Sequence, residues 1–177
     1  MATIKATMAT AKVQILFEMK LKINNNYILA ACVLVLAVLC VLSVSQPVRF
    51  QREQARREAV VKQRLLHIRQ AEEAYRKRHG TYTADMGKLT RGRYLADSLQ
   101  YIPFAGKKRF QLATTTLVSK TGKHIPLMEC SAAYDDYLQG LDYEAIQQLN
   151  DRAIGAGNFP GLKIGDITTD NNNAGNW

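Results

Sequence analysis

The hydrophobic pattern of the chain changes twice. From Tyr27 to Val44 eighteen residues carry no charge, and the run is dominated by Leu, Val and Ala. Beyond Pro47 apolar residues recur among charges: Val61, Leu65, Ile68 and Tyr75 fall at i, i+4, i+7 and i+14, with Ala71 nearby. That spacing puts them on one helical face. After Gly80 the helical period gives way to short runs with the alternation of strands.

The first run meets the length of about 18 apolar residues that a helix needs to cross a hydrocarbon core. It predicts a membrane anchor over 27–45, with Tyr27, Leu34, Leu39 and Val44 among the lipid-facing residues. Three other readings fit less well. Ser43-Val44-Ser45 before Gln46 has the small-x-small form of a signal cleavage site, but the apolar run exceeds the usual 7–15 residues. Leu29-Ala30-Ala31-Cys32 has the letters of a lipoprotein signal, but its cysteine opens the run instead of closing it. A buried core helix in so small a protein would keep a polar face, and this run has none.

The second run predicts an amphipathic spine helix over 46–80, its core face carried by Val61, Leu65, Ile68 and Tyr75. Gly80 stands where a helix C-cap belongs, behind Arg76, Lys77, Arg78 and His79, which suit the negative end of the helix dipole. Glu53 to Arg57 and Glu58 to Lys62 are spaced as i,i+4 pairs. Pro47 marks a bend or a second helix start. Residues 1–26 are polar and weakly patterned, and Met19 offers an alternative start that would make the first 18 dispensable.

Residues 81–177 predict a small α+β domain. Thr81 to Asp85 reads as a turn before a short helix through Leu89, and Leu99–Phe104 as a short edge strand tolerating Pro103. Lys107–Ser119, a turn at Lys120–Lys123 and His124–Ser131 read as a hairpin. Asp142 caps a helix through Asn150, Leu162–Ile167 is a last strand, and Trp177 closes a polar tail as an apolar plug. The fold class is therefore α+β: a transmembrane helix running into a long amphipathic helix packed on a small antiparallel sheet.

Charge sharpens this picture. The chain of 177 residues has a net charge of +9. A basic protein with an apolar anchor points to anionic lipid head groups. Ten basic residues between Arg49 and Arg78 read as a solvated face with attraction to lipid; nucleic acid is disfavoured because aromatics are not interleaved with them. Three cysteines make no disulfide framework, since Cys32 and Cys40 lie eight apart, roughly 12 Å along a helix.

No catalytic constellation stands out. His67, His79 and His124 fall in different elements without metal spacing, and Cys130 reads as a small core residue. No phosphate loop, dinucleotide fingerprint or nucleophile elbow occurs. Asp135-Asp136 and the stretch Asp166–Asn173 supply hard oxygen ligands suited to calcium, with Asp166, Asp170 and Asn172 the candidates, but not at EF-hand spacing. No other cofactor is expected.

Several of these features together resemble type IV pilins and the pseudopilins of type II secretion. Tyr75-Arg-Lys-Arg-His-Gly80-Thr-Tyr82, with Leu89 seven residues on, resembles the pseudopilin helix end. Pro47 resembles the helix-bending proline of pilins, and the tail Asp170–Trp177, ending Gly-Asn-Trp, resembles the pseudopilin C-terminal loop that binds calcium. The chain is also similar to membrane-anchored, pilin-like proteins of Bacteroidota. The resemblance covers residues 27–89 and the tail. It implies a non-enzymatic envelope protein of the inner membrane, with envelope proteins or further copies as partners. It also implies a domain on the periplasmic side. A literal count of basic residues flanking the run (Lys5, Lys12, Lys20 and Lys22 before; Arg49, Arg52, Arg56, Arg57, Lys62 and Arg64 after) points the other way. Two pilin features are missing. Asn24-Asn25-Asn26 stands where the processing peptidase needs glycine, and no glutamate lies within the run. A permanently anchored relative that is not processed, or a subunit of a larger membrane or secretion complex, fits these departures.

Overall fold

The structure, a computed structural model, describes residues 25–119 and 122–177. Most of the polar segment 1–26 and part of the turn 120–123 lie outside that set, as do the side chains of residues 42 and 44–46, which include the anchor residue Val44. The chain divides into two units, Met1–Pro47 and Val48–Trp177.

The first element, α1, is a helix from Asn25 to His79 with Pro47 inside it. In the first unit its described large side chains are exposed: Tyr27 is 71% exposed, Leu34 66% and Leu39 55%. The fully described part of the apolar run, Tyr27 to Val41, is fifteen residues. Among the described residues no helix is long and apolar enough to cross a membrane.

The second unit is α+β. After α1 come α2 (Met86–Arg91), a 3-10 turn (Asp97–Gln100), β1 (Gln111–Val118), β2 (His124–Ala133), α3 (Tyr134–Tyr137), α4 (Tyr143–Gly155) and β3 (Gly161–Gly165). The three strands form one antiparallel sheet in the order β1-β2-β3. Val61, Leu65, Ile68 and Ala71 of α1 join Met128, Cys130 and Ala132 of β2 and Ile164 of β3 in one core. The i, i+4, i+7 stripe thus shares one core with the sheet.

Local chemistry explains the element ends. Gly80 ends α1 at φ +79°, a conformation glycine adopts without a Cβ penalty, and its N–H reaches Arg76 O at 2.8 Å. The Asp85 carboxylate accepts from Gly87 N–H and caps α2; the Asp142 carboxylate accepts from Glu144 and Ala145 N–H and caps α4. Pro126 sits inside β2 opposite Thr116, but β3 pairs only with Glu129–Ala133. The donor it lacks is therefore not needed by either neighbour.

Two expectations are corrected. Leu99–Phe104 is not a strand: the turn Asp97–Gln100 occupies its start, and a single bridge, Tyr101 to Arg109, is all the pairing it makes. Asp97 accepts from the Gln100 side chain, which favours the turn, and Phe104 takes φ +66°, outside the extended region. Trp177 is not a plug. It is 46% exposed, with the Lys62 ammonium 5.6 Å from its ring centre.

Candidate functional site

Val61, Leu65 and Ile68 are fully buried, and Tyr75 is half-buried, stacked on His79 and edge-on to Tyr94. His67 and His124 are exposed, and Cys130 is buried with its thiol pKa pushed up by desolvation. The ten basic residues are not one solvated face. Arg57 donates to Tyr137 O and Gln139 O, Arg64 to Ser98 O and Tyr101 O, and Arg69 to Asn173 O. These three tie the helix to the loops of the domain. Arg56 and Arg57 also share Glu53, whose carboxyl they hold down at about 2.

The calcium candidates are engaged in turns. Asp166 Oδ1 accepts from Thr168 N–H, the Thr168 hydroxyl and Thr169 N–H, and these bonds, with Lys163 nearby, lower its pKa to about 2. Asp170 Oδ1 accepts from Asn172 N–H at 3.1 Å. Lys163 Nζ lies 3.0 Å from Glu129 and 3.4 Å from Asp166. Burial opposes the Lys163 charge, but the two carboxylates outweigh it and hold the ammonium above its ordinary range. Asp135 accepts from Asn150, and Asp136 pairs with Lys108. Among the described residues no group of three or more His, Cys, Asp or Glu side chains is placed to hold a metal.

Two features had no signal in the periodicity. Glu72 of α1 is fully buried; one carboxylate oxygen accepts from Thr83 N–H at 3.1 Å and the other has no partner. Burial pushes its carboxyl up to about 7, against the pull of that bond. The other is an open cleft of about 500 Å³ inside the second unit, lined by Glu58 and Lys62 of α1, Arg152 of α4, Phe159 and Trp177. It gathers two cations and one carboxylate with three aromatic rings, Tyr134, Phe159 and Trp177, and its residues come from distant parts of the chain.

Comparison with protein-family models finds no match, and neither the curated proteins nor the solved structures contain one.

Proposed function

We propose that the protein is a non-enzymatic, single-pass envelope protein: a pilin- or pseudopilin-like structural or interaction module held at the inner membrane by the run 27–45. The observation that supports this most is that one helix, Asn25–His79, carries both the uncharged run and the buried stripe on which the domain is built. The run of eighteen residues, taken from the sequence, has the length of a span. Lipid is then the first partner, and the domain lies on the periplasmic side.

A second reading is an accessory subunit of a larger membrane or secretion complex. The cleft between α1, α4 and the tail favours it, because Lys62, Arg152 and Trp177 are the kind of residues that receive a partner's acidic or aromatic side chain.

The test uses the full chain in cells. The wild type stays in the membrane pellet after alkaline carbonate, and Leu36→Arg, costing about 2.5–3.5 kcal/mol of insertion, releases it. Release of the wild type itself would sink the anchor. With Cys32 and Cys40 replaced by alanine, a cysteine at Tyr143, which is 71% exposed, reacts with an impermeant maleimide once the outer membrane is opened. Labelling only after the inner membrane is opened would reverse the orientation.

A further inference from the structure

The two edges of the sheet are treated differently. The β3 edge is five residues long, contains Lys163 and two glycines, and is covered by the tail. Ile164 bridges Gly175, Gly165 N–H reaches Ala174 O at 2.9 Å, and Asn176 N–H reaches Lys163 O at 3.1 Å. These are the devices by which proteins blunt an edge strand.

The β1 edge has none of them. Its eight residues, Gln-Leu-Ala-Thr-Thr-Thr-Leu-Val, contain no charge, proline or glycine and are rich in β-branched side chains. Which backbone groups face outward follows from the ladder. Ser119 N–H bonds Lys123 O on the β2 side, and Phe110 N–H bonds Gln100 O on the other. Antiparallel alternation therefore directs the N–H and C=O of Leu112, Thr114, Thr116 and Val118 away from β2. Among the described residues none of these outward groups has a partner, and Val118 is 63% exposed.

We propose that β1 is a self-association edge, where a second copy of this chain adds its own β1 antiparallel about a two-fold axis at Thr115. That register is fixed by parity. Outward-facing residues must meet outward-facing residues, and the one arrangement that uses all of Leu112–Val118 sets Leu112 against Val118 and Thr114 against Thr116 of the second copy. Every opposed pair within Leu112–Val118 is uncharged, so no like charges face one another along the paired segment. The occupant is a second copy because the segment is its own complement: apolar ends meet apolar ends and threonine meets threonine. Because the tail covers β3, pairing closes at two and does not propagate into a fibre. The proposal goes beyond the anchoring reading and survives its failure, since every residue it uses lies between Gln100 and Asn176.

The test is a register-specific crosslink in the full chain, in detergent solution, with Cys32 and Cys40 replaced by alanine and the buried Cys130 kept. Thr115 faces Thr115 of the second copy as a non-hydrogen-bonded pair, with Cα atoms about 4.5 Å apart, inside the range a disulfide spans. Thr115→Cys should give a covalent dimer on mild oxidation. Val118→Cys should not, because the two Val118 Cα atoms lie roughly 20 Å apart in this register. Thr116→Pro, added to Thr115→Cys, removes an outward donor and leaves the β1–β2 ladder whole; it should cut the crosslink roughly tenfold with the circular dichroism spectrum unchanged. Val118→Lys, at a fully accepting surface position, should do the same without any backbone change. No crosslink at 115, equal crosslinking at 118, or crosslinking that survives both edge variants would overturn the proposal.

Discussion

Leu36 and Leu65 occupy the same helix and live in different surroundings. Leu36, in the first unit, is 61% exposed within the chain; Leu65, in the second, is fully buried against the sheet. The helix has the same hydrogen-bonding pattern at both positions, so propensity does not separate them. What differs is whether the protein itself supplies the apolar surroundings. In the second unit it does; in the first, Leu36 stays exposed among the described residues. The sharpest way to break this contrast is a matched pair. Leu65→Ala should cost roughly 3 kcal/mol by lost burial and cavity formation, on the order of 10 °C in Tm. Leu36→Ala should move the Tm of the domain hardly at all, within about 0.5 kcal/mol. Thermal melts followed by circular dichroism at the sheet wavelengths decide it. An equal loss in both variants would mean that the first half of the helix is also held by the fold.

The next contrast lies inside the second unit, between its apolar stripe and the one carboxylate that interrupts it. Glu72 follows Ala71 on the buried side and has a single hydrogen bond. Its folded pKa, about 7, stands above the ordinary 4.5. Below pH 4.5 the group is neutral in both states and costs nothing by this route. As pH rises from 4.5 to 7 the unfolded chain gives up its proton while the folded one keeps it, so stability falls, by about 3 kcal/mol in all, and then levels. Glu72→Gln keeps an acceptor for Thr83 N–H and removes the titration. It should flatten the fall of Tm between pH 5 and 7 and make the protein more stable than wild type at pH 8. The same slope in the variant would place its origin in another group.

Periodicity made the spine legible because burial on one helical face is written at intervals of three and four. The hairpin was legible from β-branched residues around a glycine turn, and the α4 start from Asp142. Glu72 was not, because a carboxylate within a charged helix looks like every other exposed one until the loop at Thr83 folds over it. The cleft was not, because Lys62, Arg152 and Trp177 are brought together only by the tertiary fold. The strand expected at Leu99–Phe104 failed because local side-chain bonding at Asp97 favours a turn over an alternation that was only suggestive. The basic stripe looks uniform in the sequence, since spacing does not say which arginines meet carbonyl oxygens.

That last difference gives the smallest effect and a discriminating one. Arg57 and Arg52 are five positions apart on α1, and Arg57 makes the contacts of a tether: Nη1 reaches Tyr137 O at 3.1 Å and Gln139 O at 2.9 Å, while Nε holds Glu53. A guanidinium makes these bonds at once because its donors diverge in one plane; an ammonium carries three donors on a single atom. Arg57→Lys keeps the charge and gives up part of the bonding, so it should cost about 1 kcal/mol. Arg52→Lys, at an exposed position, should cost nothing measurable. Both variants keep the net charge of +9, so any difference in denaturation midpoint reports geometry and not electrostatics at long range. Equal midpoints would return Arg57 to the solvated face and leave the loop after α3 to be held by packing of Tyr137 and Leu138 alone.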